Sequence, residues 1–166
     1  MIDVSPYEHC ACQKMGNTQA LCTNDLCIEE KGKKLRLSLR ANEEARVLVL
    51  DGCVFTDNKK KCDAVYLFRR QNTKVIALVE LKGAGDLPHA FEQLAYTKRQ
   101  RPEYGELREK LNAAGPGQLI ERAFVVSNGM LSKPEHESLE NRHGIRVTAI
   151  LYSEPSAKAP DLREWL

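Results

Sequence analysis

Two strongly apolar runs, residues 63–70 and 73–82, are adjacent in the chain, with only the polar pair Gln71-Asn72 between them. Aliphatic and aromatic side chains dominate both runs, and such a pattern around a polar pair is typical of a β-hairpin. Both runs are apolar at odd and even positions alike, as expected of central strands covered on both faces. The second run nevertheless ends in two charged residues, Glu80 and Lys82. A buried charge is costly unless it is paired or binds an ion, so the end of this strand is a candidate site.

The rest of the chain alternates between strand patterns and helix patterns. Period-two alternation and short apolar runs indicate strands, whereas apolar positions three or four apart indicate helices. Strands are predicted over 35–39, 46–55, 122–127 and 145–152, and helices over 88–100, 104–114 and 133–144. Asp86 and Pro88 are typical of a helix start, which places the first helix directly after the charged strand end. Residues 41–45 fit either a turn or a short helix.

This order of elements predicts an α/β fold in which a central mixed β-sheet is flanked by helices. The 166 residues suffice for one sizeable core and are short for two. The first residues are polar, rich in cysteine and weakly periodic, and we expect them to form a small Cys-rich N-terminal appendage. We therefore divide the chain into an N-terminal segment, 1–33, and a core, 34–166.

The hairpin predicts which charged side chains meet. If Gln71-Asn72 form a two-residue turn, Asp63 lies directly opposite Glu80. Opposed residues share one face of the sheet with Cβ atoms about 5 Å apart, and Lys82 lies on that face too. A four-residue turn would oppose Asp63 to Lys82, and a three-residue turn would separate the group.

Two opposed carboxylates repel each other unless a cation lies between them. Their hard oxygen atoms favour Mg²⁺ or Mn²⁺ over zinc, and the carbonyl of Leu81 is a natural further ligand. Such a metal can bind a phosphate oxygen and activate water, while Lys82 would orient the attacking water or stabilise the charge of the transition state. The alternative is a simple surface salt bridge between Lys82 and one carboxylate.

The pattern of Asp63, then Glu80-Leu81-Lys82 on the next strand, then a helix holding Gln93, resembles the PD-(D/E)xK nuclease superfamily. That superfamily includes restriction endonucleases, Holliday-junction resolvases and phage-type exonucleases. The resemblance covers about residues 47–100 and implies a restriction-endonuclease-like fold.

The resemblance also implies roles for individual residues. Asp63 and Glu80 would be metal ligands, Lys82 the catalytic lysine and Gln93 a further catalytic residue on the helix. Some branches add a tyrosine after the glutamine; Tyr96 is similar but lies one residue nearer than in that pattern. The superfamily often has an acidic residue upstream, for which there are three candidates: Glu43, Glu44 and Asp51.

Four cysteines of the N-terminal segment, Cys10, Cys12, Cys22 and Cys27, could form a structural zinc site. The usual C-x2-C spacing is missing, and unligated thiols are the main competing interpretation, with an iron–sulfur cluster or a disulfide as further alternatives. The remaining two, Cys53 and Cys62, lie on predicted strands and are expected in the core. We expect reduced thiols throughout, because we predict a cytoplasmic protein: no signal peptide and no apolar run of membrane-spanning length are visible.

The function predicted from the sequence is metal-dependent hydrolysis of nucleic acid, with DNA as the expected partner. The net charge is only +2, but basic clusters at 31–40, 59–61, 69–70 and 98–101 favour a polyanion. The chain has no recognisable added domain for reading sequence, so we expect a homodimer or a subunit of a larger complex. The alternatives are an inactive nucleic-acid-binding or regulatory protein on the same fold, and a small zinc-containing interaction module.

Overall fold

A five-stranded mixed β-sheet forms the centre of the protein in the computed structural model, which describes residues 1–166. Its strands are β3 (Glu43–Val49), β4 (Ala64–Arg70), β5 (Thr73–Leu81), β6 (Gln118–Ser127) and β7 (Ala149–Tyr152). They lie side by side in chain order; β3, β4 and β5 are antiparallel, whereas β5, β6 and β7 are parallel. The predicted α/β class with a mixed sheet is confirmed.

Three helices pack against one face of this sheet. They are α1 (Leu87–Gln100), α2 (Pro102–Asn112) and α3 (Lys133–His143), and short 3₁₀ helices precede α1 and close the chain. The helix face buries residues such as Leu67, Leu78, Phe91 and Leu107 in one cluster. Helices α1 and α2 form the connection between the parallel strands β5 and β6. Helix α1 therefore begins shortly after the charged end of β5. None of the helices has the length and apolar character that crossing a bilayer requires.

The opposite face of the sheet is covered by a small hairpin that the sequence did not predict. It consists of β1 (Cys27–Glu30) and β2 (Lys33–Arg36), joined by Lys31-Gly32, both with positive φ. Tyr66 fastens it to the sheet, since its hydroxyl donates to the carbonyls of Leu26 and Leu35. The predicted strand over 35–39 is therefore shorter and lies in this hairpin, and the boundary proposed after residue 33 falls inside it.

Residues 1–33 also contribute to the main core. Ile2, Val4 and Cys10 are fully buried and pack in the same cluster as Leu48 and Leu50. We expected a small appendage because these apolar residues are few and irregularly spaced. Most of the surface they cover comes from strands distant in sequence, which periodicity within one segment cannot reveal.

The cysteines are paired in a way that contradicts the predicted four-cysteine zinc site. Cys10 is disulfide-bonded to Cys53, and Cys12 to Cys22, whereas Cys27 and Cys62 are free. A sulfur in a disulfide cannot act as a thiolate ligand, so the four predicted ligands do not form a common site. The expectation of reduced thiols also fails. Cys53, which we expected on a strand in the core, is a disulfide partner and lies half-buried in a turn.

The other predicted elements are present, some with different ends: the strand predicted over 46–55 stops at Val49, and the one predicted over 145–152 begins at Ala149. Asp86 precedes α1 directly, and Gly144 ends α3 in the left-handed conformation with φ of 62°. The undecided segment 41–45 is a turn followed by a strand: Asn42 has φ of 66°, and β3 begins at Glu43. Asparagine tolerates this left-handed conformation, which explains why the chain can turn there without glycine.

The turn of the central hairpin is fixed by a close approach of the chain before β6. Gly117 has φ of 103°, and a Cβ atom at this position would overlap the backbone of Asn72. The neighbouring amide of Gln118 donates to the carbonyl of Asn72 at 3.1 Å. Gly117 therefore couples the β4–β5 turn to β6.

We predict that Gly117→Ala lowers the free energy of unfolding by at least about 2 kcal/mol, because alanine meets both a steric overlap and an unfavourable φ. For a chain of this size the melting temperature should fall by roughly 4–8 °C. Gly105→Ala is the matched control: Gly105 lies in α2 with no atom within 4 Å of the added Cβ. This control should stabilise by about 0.5–1 kcal/mol. Equal melting of Gly117→Ala and wild type would contradict the close approach.

Candidate metal centre at the β4–β5 strand end

The register of the central hairpin brings Asp63 and Glu80 together as predicted. Ala64 is paired with Val79, so the next position along each strand opposes Asp63 to Glu80. The amide of Asp63 donates to the carbonyl of Val79 at 3.2 Å, and the amide of Leu81 donates to Asp63 Oδ2 at 2.8 Å. The prediction of a two-residue turn at Gln71-Asn72 is thereby confirmed.

Both carboxylates are buried. The exposed fraction is 8% for Asp63 and 2% for Glu80, and their positions in the strand alternation place both on the helix face. Lys82 Nζ lies 3.1 Å from Glu80 Oε2, with 18% of the lysine side chain exposed. The pair is therefore not the surface salt bridge that we considered as the alternative. It is a desolvated cluster of two carboxylates with one ammonium.

One oxygen of this cluster has no donor in the protein when both carboxyls are ionised. Glu80 Oε1 is buried and accepts no hydrogen bond, although Glu80 Oε2 is paired with Lys82. The two carboxyls can share a hydrogen bond only while one of them holds a proton. Leaving a buried acceptor unsatisfied costs about 1–3 kcal/mol, and more for a charged group. A cation that binds both carboxylates would satisfy this oxygen and remove the repulsion between Asp63 and Glu80.

The pKa values of the two carboxyls are raised. The pKa of Asp63 is raised to about 6, mainly by burial and further by the charges of Glu30 and Asp51. The hydrogen bond from the Leu81 amide acts in the opposite direction and lowers this pKa. Burial followed by the charge of Asp63 raises the pKa of Glu80 well above its ordinary value, although Lys82 acts in the opposite direction. In the absence of a cation the protein resists ionising both groups together, as expected for like charges that share a site.

Helix α1 closes the site from the side. Gln93 Nε2 donates to the carbonyl of Lys61 at 3.1 Å, and its Oε1 is buried without a partner. One turn later, Thr97 Oγ1 accepts from the amide of Cys62 at 2.8 Å and donates to the carbonyl of Gln93. These contacts fasten the segment before Asp63 to α1, so they fix the position at which β4 begins.

Only one of the three upstream acidic candidates lies at this end of the sheet. The amide of Asp51 is 3.4 Å from the carbonyl of Asp63. Glu43 and Glu44 oppose Arg70 and Arg69 at the other end of β4, about 20 Å away for strands of this length. Glu43 is bound there by Arg163 and Glu44 by Arg69. Glu43 and Glu44 therefore lie too far from Asp63 to be the upstream acid, which leaves Asp51 as the candidate.

The basic clusters are distributed more widely than the sequence suggested. Lys59, Lys60 and Lys61 directly precede the site, and Lys60 Nζ lies 3.6 Å from Glu92 of α1 and 6.0 Å from the ring centre of Tyr96. Arg69 and Arg70 lie at the far end of the hairpin. His89 is a surface residue 4.0 Å from Glu92.

Sequence reasoning missed three residues at the site. Thr97 lies four residues after Gln93, a spacing that places both on one side of α1 and could have been noticed. Cys62 is fully buried beside the carboxylates. Burial is the main cause that raises the pKa of its thiol, and the charges of Glu80 and Asp63 raise it further. The charge of Glu30, at the end of β1 on the other face of the sheet, also raises the pKa of Asp63, and no local pattern indicates that the β1–β2 hairpin brings it this near.

No protein-family model matches the chain, and neither a curated protein nor a solved structure matches it. The resemblance to the PD-(D/E)xK nucleases therefore rests on the residues of the site.

We predict that Asp63→Asn stabilises the metal-free protein at pH 8. Asp63 holds its proton more tightly in the folded protein than in the unfolded chain, so between about pH 4 and pH 6 stability falls as pH rises. Above this window the raised pKa costs on the order of 3 kcal/mol, which asparagine avoids while still accepting from Leu81. Thermal melts in a chelator should show the variant above wild type at pH 8, with the two converging below pH 4.

Mn²⁺ should close most of this difference. At about 100 times its dissociation constant it should stabilise wild type by about 2.7 kcal/mol and leave Asp63→Asn unchanged. Glu137→Gln, an exposed carboxylate of α3, is the matched control and should behave as wild type. A destabilised Asp63→Asn would show that the Asp63 charge is stabilised as in an ordinary ion pair, and equal metal shifts in both proteins would show that Asp63 has no role in metal binding.

Proposed function

We propose that the protein is a metal-dependent phosphodiesterase acting on nucleic acid, with DNA as the expected substrate. One observation carries the proposal: two buried carboxylates oppose each other beside a lysine, and one carboxylate oxygen has no donor in the protein when both carboxyls are ionised. Such a cluster raises the free energy of the folded state unless a cation binds it. A binding function best explains why the strand ends in such a cluster.

The chemistry of the donor set fits a hard divalent cation. Asp63 and Glu80 offer carboxylate oxygens, and the carbonyl of Leu81 is the proposed further ligand. Mg²⁺ and Mn²⁺ prefer such ligands, whereas neither thiolate nor imidazole is part of the set. When bound, the metal would neutralise charge on a phosphate and lower the pKa of a water molecule.

Lys82 is suited to bind the substrate phosphate. Its ammonium lies at the edge of the buried pair, and the 18% exposure of its side chain gives it access to solvent that Glu80 lacks. A fixed positive charge at this place would stabilise the negative charge that develops as the phosphodiester bond breaks. Catalysis, rather than folding, is the role that we assign to Lys82.

Gln93 is suited to orient the attacking water. Its amide nitrogen is engaged by the carbonyl of Lys61, which holds the side chain in one orientation. Its Oε1 is then available as a buried acceptor. An acceptor held in place in this way can position a water molecule before attack, which contributes by orientation.

The lysines before Asp63 support a polyanionic substrate. Lys59, Lys60 and Lys61 occupy the loop that α1 fastens beside the carboxylates. Phosphate contacts from lysine position a nucleic acid without reading its sequence. We therefore propose recognition of structure or of ends, by a homodimer or within a larger complex. A cytoplasmic location stays a prediction, and the two disulfides, which are typical of an oxidising compartment, count against it.

We predict that Lys82→Ala abolishes Mn²⁺-dependent cleavage in a protein that still folds, because Glu80, whose pKa is already raised, can hold a proton when its ion-pair partner is removed. The substrates are labelled single-stranded, duplex and branched DNA and RNA, each with Mn²⁺ and with a chelator. Removing one preorganised charge typically costs about 10²–10³ in rate. Lys158→Ala, a change of an exposed lysine distant in sequence from the site, is the control and should cleave as wild type.

Wild-type turnover by Lys82→Ala would refute the role of Lys82. Metal-independent binding of these substrates without any cleavage by the wild-type protein would refute the enzyme and favour the inactive nucleic-acid-binding or regulatory alternative.

A further inference from the structure

A second cluster of ligand-type side chains lies outside the carboxylate site. His9, Cys10 and Cys53 each place a ligand atom within 4.8 Å of the other two. Cys10 and Cys53 form a disulfide in this structure, and His9 is an exposed neighbour. Imidazole and thiolate are the ligands that zinc prefers in proteins.

The backbone holds this cluster together independently of the disulfide. Cys10 ends a 3₁₀ helix, after which Ala11 pairs with Leu48 and the amide of Cys12 donates to the carbonyl of Val47 at 2.8 Å. Cys53 lies in the turn after β3, where its amide donates to the carbonyl of Leu50 at 3.3 Å. Pairing along β3 therefore keeps the two cysteines adjacent when the bond between their sulfurs is broken.

We propose that reduction of the Cys10–Cys53 disulfide creates a binding site for a thiolate-preferring divalent cation of the Zn²⁺ type. A dithiol reductant supplies two electrons and two protons, which break the S–S bond and yield two thiols, while the reductant becomes a disulfide. The metal then displaces one proton from each thiol and binds both thiolates together with the imidazole of His9. A water molecule completes the fourth position, as in open zinc sites.

The required movements are small. Tetrahedral zinc with Zn–S distances of about 2.3 Å separates its ligand atoms by roughly 3.5–3.8 Å, within the 4.8 Å limit of the cluster. The two sulfurs must separate after reduction, and a change of side-chain rotamer provides this. His9 is exposed and Cys53 is half-buried, so reductant and metal can reach the cluster from solvent, whereas Cys10 is buried.

The site differs in composition and consequence from the four-cysteine site predicted from the sequence. It uses Cys53, distant in the chain, and requires neither the Cys12–Cys22 disulfide nor Cys27. The turn that holds Cys53 adjoins Leu50, whose amide donates to the carbonyl of Asp63 at 2.9 Å. Metal binding would thus fasten this turn in the reduced protein as the disulfide does in the oxidised one.

Titration with Co²⁺, a spectroscopic substitute for Zn²⁺, tests the proposal on the full chain. The protein is reduced with a phosphine, which does not compete for the metal as a thiol would, and reduction is verified by counting alkylated thiols. We expect one Co²⁺ per reduced chain, with thiolate-to-cobalt charge-transfer absorption that Zn²⁺ abolishes, and no such band in the oxidised protein. Absence of the band in the reduced wild type would overturn the proposal.

Two variants distinguish this site from adventitious binding to other thiols. His9→Asn changes an exposed residue and keeps every cysteine, and it should weaken Co²⁺ binding at least about tenfold. Cys22→Ser removes the other disulfide and should leave the affinity unchanged. Unchanged affinity in His9→Asn, or loss of the band in Cys22→Ser, would assign the metal to other cysteines and overturn the proposal.

Discussion

The repulsion between Asp63 and Glu80 is the interaction on which the rest of the site depends. Two carboxylates, 8% and 2% exposed, face each other across β4 and β5, and one ammonium and one backbone amide are their main compensation. The fold tolerates the pair because the neighbouring elements hold both strands in place. Nine residues of β5 are paired with β6, and α1 is hydrogen-bonded to the segment before β4. A stable scaffold that maintains an unfavourable charge cluster is typical of a binding site.

The central register could be predicted from the sequence because it depends on local information. A two-residue turn between two apolar runs leaves one pairing, and that pairing determines which charged residues meet. The choice among Glu43, Glu44 and Asp51 could not be made in this way. It depends on where β3 lies along β4, and the turn that starts β3 at Asn42 fits a helix start equally well in sequence terms.

The cysteine pairing could not be predicted, since it depends on contacts between distant segments. Cys10 and Cys53 are 43 residues apart and meet because the chain after Cys10 runs along β3. The same limitation hid the β1–β2 hairpin and the influence of Glu30 on Asp63. Whether two adjacent cysteines form a disulfide also depends on the redox conditions around the protein, which the amino-acid pattern alone does not specify.

Calorimetric titration of Mn²⁺ into wild type and Glu80→Gln, at pH 6 in two buffers of different ionisation enthalpy, tests the central claim most directly. The raised pKa values mean that protons occupy the carboxyl pair at this pH, so the metal must displace them. We expect saturable binding of Mn²⁺ to wild type with net proton release that diminishes toward pH 8, and no saturable binding to Glu80→Gln. Binding without proton release, or equal binding by both proteins, would contradict a metal centre built on Asp63 and Glu80.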